Sequence, residues 1–313
     1  MSPLPAHPIE RLVSFGTVLV DLVTFVPALP ERGGDVFASR GALEVGGGLT
    51  AMAAARRAGL PTVHAGTTGT GPFGDLARAA LAAAGIQTVL SPLPGVDTGL
   101  CLVMVEPAGE RTFVTLPGAE GLLDPGSLGH VPLRHTDAML LSGYGLVHPV
   151  TRLAILAALA RLPAGATLVV DPGPLGHELA PADLAAMFAR ANWWTCNARE
   201  ATLLTGETDP GHAAAALAER LARAAGTEEA PARTPAYAVV RTGASGCLLA
   251  VAGRPPFRVS AVPASVVSRN GAGDAHTGAL IAALAAGRSP VAALRQANGA
   301  AGSLLRSRPG TAP

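Results

Sequence analysis

The stretch VVSRNGAGDAHTGALIAAL, Val266 to Leu284, changes from an apolar, β-rich run into an alanine-rich helical pattern across two glycines and an aspartate. Gly271 and Gly273, with Ala272 between them, free the backbone to aim successive N–H groups at one oxyanion. A helix N-terminus adds positive potential there. Such a turn would stabilise charge developing on a transferred phosphoryl group. Asp274 follows directly and would repel that phosphate unless it had its own task. It either accepts a proton from an attacking hydroxyl or complements the dipole of the helix it starts.

Weaker signals accompany this one. NWWTCNARE (192–200) ends a strand with Asn197 and places Glu200 in the next helix's first turn. An amide and a carboxylate near one crevice suit hydrated Mg²⁺ beside phosphates, and the same pair suits a capping box. VVDPGP (169–174) puts Asp171 at a strand end, as a crevice carboxylate or a turn aspartate. GGG at 46–48 precedes a helix and would let backbone approach a ligand, although glycine turns before helices are common. VVRTGASGCLLA (239–250) carries glycines between two apolar strands, as the wall of a nucleotide groove or as a plain hairpin. AALRQAN (292–298) is a late helix that could wall the same groove.

Alternating apolar and helical runs must position these residues. RLVSFGTVLVD (11–21), TVHAG (62–66), AMLLSG (138–143), TLVVDPG (167–173), WWTCN (193–197) and YAVVRTG (237–243) read as strands. LTAMAAARRAGL (49–60), FGDLARAALAAAGI (73–86), VTRLAILAALARL (150–162), REATLLTG (199–206) and HAAAALAERLARAAG (212–226) read as helices. This rhythm predicts a mainly parallel sheet with helices on both faces, binding ligands at the carboxyl ends of its strands. Residues at about 22–45 and 98–118 break the rhythm without a helix, the second as a hairpin with PAGE at its turn. They are expected to form a small separate sheet over the ligand face, as a lid or as an edge hairpin without a role. GTEEAPARTPA (226–236) reads as a surface loop.

Composition narrows the partners. The 313 residues are 49% hydrophobic, enough for one large α/β domain or a domain with a small appendage. A net charge of +1 with 14% charged residues provides no field for nucleic acid or anionic membrane, so a small molecule is the expected partner. No apolar run reaches the roughly 18 residues of a membrane span, and the N-terminus lacks a signal-peptide pattern, which points to the cytoplasm. Cys101, Cys196 and Cys247 are too scattered for zinc or a disulfide frame and read as buried thiols. All basic residues are arginine, and without lysine there is no Walker A site.

GGG before a helix, GTTGTGPFGDLARAALAAAGI, TGLCLVMVEPAGERTFV, NAREATLLTG, RTGASG and NGAGDAHTG occur in the order and spacing of the PfkB, or ribokinase-like, carbohydrate kinases. The chain resembles that family from about Val13 onward, most closely its bacterial sugar kinases of unassigned substrate. The resemblance implies a single ribokinase-like α/β domain over 1–313 with a β-sheet lid, and transfer of the ATP γ-phosphate to a hydroxymethyl group of a small sugar or nucleoside. It implies Asp274 as catalytic base and Gly271, Ala272 and Gly273 as anion hole. Asn197 and Glu200 would serve Mg²⁺ and phosphates through water. Thr242, Gly243, Gly246 and Asn298 would line the nucleotide groove, and Asp21, Gly46 and Gly47 the sugar site. A homodimer through the lid is a further expectation.

Several positions depart from the family pattern. Ser268, Arg269 and Asn270 replace the residues usual before Gly271, including an aspartate that helps bind a monovalent cation, so K⁺ activation is not expected here. Ala51 stands for the usual asparagine, Thr70 and Gly71 for an expected aspartate region, and DPGP for DPNxR. These argue against a standard ribose or fructose pocket. Few aromatic residues favour a sugar over a nucleoside, although Phe15, Phe37 and Phe113 could reach the pocket. A non-catalytic sugar- or nucleotide-binding regulator is the competing class. A dinucleotide-dependent oxidoreductase lacks its GxGxxG after the first strand.

Overall fold

The computed structural model describes residues 8–226, 236–263 and 271–306. Ser268, Arg269 and Asn270 lie outside them, as does nearly all of the loop expected at 226–236.

The chain runs β1 (Arg11–Ser14), β2 (Val20–Phe25), β3 (Arg40–Val45), α1 (Leu49–Arg57), β4 (Thr62–His64), α2 (Pro72–Ala83), β5 (Gln87–Thr88), β6 (Leu100–Val105) and β7 (Arg111–Leu116). It continues with α3 (Pro125–Gly129), β8 (Asp137–Ser142), α4 (Pro149–Ala160), β9 (Thr167–Asp171), α5 (Pro181–Arg190), β10 (Trp193–Asn197), α6 (Ala198–Thr205) and α7 (Pro210–Ala225). The last described elements are β11 (Tyr237–Arg241), β12 (Cys247–Ala250), β13 (Phe257–Val259), α8 (Ala272–Ala285) and α9 (Pro290–Leu305).

Nine strands form one sheet in the order β13-β12-β11-β10-β9-β8-β1-β4-β5. Pairing is parallel from β11 to β5 and antiparallel at β11–β12 and β12–β13. Buried side chains alternate between its faces, because successive strand residues point opposite ways. Val13, Met139, Leu141, Val170, Trp194 and Val240 join α4, α5 and α7 in one core. Leu12, Ala138, Leu140, Val169 and Val239 join α1, α2, α8 and α9 in the other. The rhythm of strands and helices implied this mainly parallel sheet, and the family resemblance implied its ribokinase-like form.

A second sheet of four strands, ordered β3-β2-β6-β7, lies in the two segments that broke the rhythm. β2 and β6 pair in parallel at its centre, and each outer pair is antiparallel. The run 11–21, read as one strand, is in fact two. β1 ends at Ser14, and the chain crosses to the small sheet by Val20, so Asp21 belongs to β2. Ser14, Gly16 and Thr17 interrupt the apolar residues at this point, too weakly for a pattern reading to divide the run. The short α3, β5, β13 and the ten-residue α5 were also not anticipated.

α8 fixes the element that begins with the glycine turn. From Ala275 to Leu284 every residue is buried, with α1 on one side and α9 on another. Gly278 allows this, since a Cβ there would collide with the Ala51 carbonyl of α1. A helix buried all round cannot drift, so its first turn is held in place.

His64, at the end of β4, is fully buried, and neither ring nitrogen has a hydrogen-bond partner. Burial pushes its pKa down to about 4. Between that value and the ordinary 6.5, the unfolded chain takes up a proton that the folded chain refuses, so stability falls as pH drops through this window. Between pH 7.5 and 5 the wild type is expected to lose about 2 kcal/mol more stability than His64→Leu, read by urea unfolding. Parallel losses in the two proteins would refute it.

Candidate active site

Three neighbouring strands of the large sheet end together. β9 ends at Asp171, β10 at Asn197 and β11 at Arg241, and Asn197 and Arg241 are direct partners in the ladder. The Arg241 guanidinium is only 14% exposed. The two N–H groups of its Nη1 are shared among Asp171 Oδ2 at 2.9 Å, Thr195 Oγ1 at 2.7 Å and Thr277 Oγ1 at 3.3 Å. Its Nη2 lies 3.8 Å from Glu200 Oε2. Burial opposes the guanidinium charge, but Asp171 and Glu200 outweigh it and hold the pKa above the ordinary arginine value.

Glu200 and Asn197 do form the capping box. Asn197 Oδ1 accepts the Glu200 N–H at 2.8 Å, and Glu200 Oε2 accepts the Asn197 N–H at 2.8 Å. This fixes both side chains at the start of α6, so the capping reading is correct as local structure. It leaves the chemical reading standing, since the cap itself presents a buried carboxylate and an exposed amide beside the strand ends. Burial first, then Asp171, raises the Glu200 pKa against the pull of Arg241.

Gly271 caps α8 with φ at 71°, in the left-handed region that favours glycine, and no side chain caps this terminus. A Cβ at Gly271 would also fall 2.8 Å from Thr50 Cγ2. Gly271, Ala272 and Gly273 carry no side chain larger than a methyl group, as a cradle for an anion needs. Asp274 follows it. Burial, then Asp171, and to a smaller extent Glu200 and Asp21, push its pKa up to about 7, with Arg241 opposing. Asp274 keeps partial solvent access, so the protein packed around its carboxyl dominates rather than complete enclosure.

The small sheet supplies the other wall. Asp21 is 9% exposed and packs against Gly46, where any Cβ would strike its carboxylate. Gly47 turns the chain with φ at 62°, before α1 begins. Asp21 is within electrostatic reach of Asp274 and of Cys101 on β6. Tyr144, in the 3₁₀ turn 143–147 after β8, bridges the two sides. Burial raises its phenol to about 12, with Cys101, Glu200, Asp274 and Asp171 adding to the effect. One crevice between the sheets thus collects Asp21, Asp171, Glu200, Asp274, Arg241 and Tyr144.

The remaining predicted residues stand to one side. Thr242 follows Arg241 and opens a turn in which its N–H and hydroxyl both donate to the Gly246 carbonyl, at 2.7 and 3.0 Å. Gly243 and Gly246 have positive φ in that turn. Asn298, on α9, donates from Nδ2 to the Val259 and Ser260 carbonyls at 3.1 and 2.9 Å, so its amide ties α9 to the end of β13. Phe15 is buried in the core and offers no stacking face, while Phe37 and Phe113 are exposed. Arg241 and Tyr144 were missed by the sequence reading. Arg241 had a visible signal, an arginine closing an apolar strand before a glycine turn.

The donors fit the groups a phosphoryl-transfer site would hold. Glu200 and Asn197 offer hard oxygen atoms suited to hydrated Mg²⁺. Among the described residues, no three His, Cys, Asp or Glu side chains cluster as a metal cage. None of their helices is long and apolar enough to cross a membrane. Cys101, Cys196 and Cys247 are free and buried, as expected.

Fold and crevice together define a kinase of the ribokinase-like class. Residues 9–313 match the pfkB family of carbohydrate kinases, and the chain belongs to that family. It is 28% identical over 295 residues to the uncharacterized sugar kinase YegV of Escherichia coli (strain K12), covering 89% of this chain and 83% of that one. Its fold is similar to adenosine kinase from Sinorhizobium meliloti, with a TM-score of 0.79 and 19% identity over 96% of each chain. It is similar also to ribokinase from Cryptococcus neoformans var. grubii serotype A in complex with ADP, with a TM-score of 0.76 and 23% identity over 97% of this chain and 95% of that one. The protein is an enzyme of the sugar-kinase type, phosphorylating a small sugar-like molecule with ATP.

The elevated Asp274 pKa depends partly on its neighbours. Asp171→Asn removes a repelling charge and frees Arg241 to attract Asp274, so the Asp274 pKa is expected to fall by about one unit. Carboxyl-carbon NMR titration reads this directly. An unchanged value would mean that the Asp171 charge does not contribute.

Proposed function

We propose that the enzyme transfers the γ-phosphoryl group of ATP to a hydroxymethyl group of a small sugar, with Asp274 as general base. The observation that carries this reading is the direction of the Asp274 shift. A carboxylate that only complemented a helix dipole would be stabilised as the anion and held low. Asp274 is instead raised to about 7, where a carboxylate is a stronger base and still ionises near neutrality. The acceptor hydroxyl gives its proton to Asp274, its oxygen bonds to the γ-phosphorus, and the bond to the ADP oxygen breaks. The N–H groups of the turn formed by Gly271, Ala272 and Gly273 receive the charge on the phosphoryl oxygens.

Asn197 and Glu200 hold Mg²⁺ through water in this reading, and the bound ion would offset part of the triphosphate charge. The turn of Thr242, Gly243 and Gly246, together with Asn298, borders the nucleotide, while Asp21, Gly46 and Gly47 border the acceptor. The chain acts as one domain over 1–313, with the small sheet as a lid that excludes water from the reacting phosphoryl group. Free buried thiols suit a reducing cytoplasm. A nucleoside acceptor is the second reading, favoured by the Tyr144 ring at the crevice and by the likeness in fold to an adenosine kinase. A non-catalytic regulator would have no use for a base poised near neutrality.

The test is Asp274→Asn, assayed with an acceptor found by screening sugars and nucleosides for ATP consumption. Turnover is expected to fall about 10²- to 10⁴-fold with ATP binding nearly intact, since the amide cannot take the proton. In the wild type, kcat/KM is expected to rise with pH through about 7 as Asp274 ionises. Turnover near the wild-type rate in Asp274→Asn, with only earlier melting, would reduce the residue to a structural one.

The lid also suggests a partner. Leu43, Leu22, Leu102 and Val114 are successive ladder partners and so share one face, with Leu100 and Leu116 in the next row. Leu43, Val114 and Leu116 are 54, 58 and 68% exposed. We take a second copy of the chain as the occupant of this apolar face, which a solvated lid would not need. Sedimentation is expected to show a dimer that Leu43→Glu with Val114→Glu converts to monomer. A monomeric wild type at tens of micromolar would exclude it.

A further inference from the structure

The structure holds a charged group that the proposed mechanism leaves unused. Arg241 is a largely buried cation at the meeting point of three strand ends, and its partners come from β9, β10, α6 and α8. Through Nη1 it ties β9 by Asp171, β10 by Thr195 and α8 by Thr277, and through Nη2 it approaches Glu200 of α6. Thr277 in turn donates to the Gly273 carbonyl at 3.1 Å, which links the guanidinium to the glycine turn. The turn also lies directly over the guanidinium. A Cβ built on Gly273 would sit 3.3 Å from both Cζ and Nε of Arg241 and 3.4 Å from Nη2.

We propose that Arg241 is a positioning residue for phosphoryl transfer, one guanidinium that fixes Asp171, Glu200 and the 271–273 turn as a single array before the nucleotide arrives. This inference rests on the kinase reading given above. Its physical basis is the planar fork of arginine, which presents several N–H donors in fixed directions and so sets the relative placement of the groups it binds. A preset array avoids rearrangement when charge develops on the phosphoryl group. A lysine has a compact ammonium on a flexible stem and cannot span the same four groups, although it preserves the charge. Neutralising buried carboxylates is a separate duty that either cation can fulfil.

Two substitutions separate these roles. Arg241→Met is expected to lower kcat by about 100-fold or more, with KM for the acceptor changed by less than about threefold, in protein that circular dichroism shows to be folded. Arg241→Lys is expected to recover most of the melting temperature lost in Arg241→Met yet stay at least about tenfold below wild type in kcat. The lysine variant decides the matter even if the methionine variant does not fold. Wild-type kcat in Arg241→Lys would show that charge alone suffices and would overturn the proposal. A loss confined to acceptor KM in either variant would do the same. The kinase reading is judged separately by the wild type, and if that consumes no ATP with any sugar or nucleoside, the positioning role falls with it.

Discussion

Four carboxylates, Asp21, Asp171, Glu200 and Asp274, converge on a crevice that also encloses the Arg241 guanidinium. Like charges gathered in a partly desolvated space raise one another's pKa, and those with the fewest compensating hydrogen bonds rise furthest. Asp171 keeps a direct bond from Arg241 at 2.9 Å. Glu200 has its capping contact and a more distant guanidinium. Asp274 is opposed by the field of Arg241, and it still climbs to about 7. Burial and the Asp171 charge push both Glu200 and Asp274 upward, and the Arg241 guanidinium opposes both shifts.

That electrostatic arrangement depends on backbone placed by the two sheets. Parallel pairing brings the carboxyl ends of β9, β10 and β11 side by side, so residues distant in sequence meet without long side chains. The buried α8 carries the glycine turn and Asp274 to the same edge, and Gly278 lets α1 lie against it closely enough to bring Thr50 beside Gly271. The small sheet then adds Asp21 from the opposite side. Rigid elements supply most of the crevice, while the wall bearing Asp21 comes from a sheet joined to the rest through its own strand ends. In the proposed mechanism that sheet would admit an acceptor and afterwards exclude water.

The legible parts of the sequence were those set by local chemistry. Asn197 and Glu200 announce a capping box by type and spacing, and the hairpin around PAGE announces itself by its turn residues. Large-sheet strands and their crossover helices appear as alternating apolar and helical runs. What escaped was whatever depended on tertiary context. β1 and β2 share one largely apolar run but belong to different sheets, and Gly16 and Thr17 between them are too weak a signal to mark the change. Phe15 has the composition of a stacking residue and the environment of a core one. An arginine closing an apolar strand before a glycine turn marks Arg241 as unusual, but its role depends on partners from four separate elements, Asp171, Thr195, Glu200 and Thr277.

Asp274 also shows why this region cannot be explained by stability. For an acid whose folded pKa lies above its unfolded value, the folded state binds more protons between the two, so stability declines as pH rises from about 4 to about 7. At neutral pH the crevice therefore costs folding free energy, and asparagine at 274 would avoid that cost while remaining tolerable near a helix start. The flanking carboxylates Asp171 and Glu200 deepen it, and Arg241 offsets only part of it. A helix terminus optimised for folding would place one acid beside its free N–H groups and no further negative charge nearby. Under the proposed mechanism the cost becomes intelligible, because a carboxylate poised near neutrality would then meet a hydroxyl that must lose a proton.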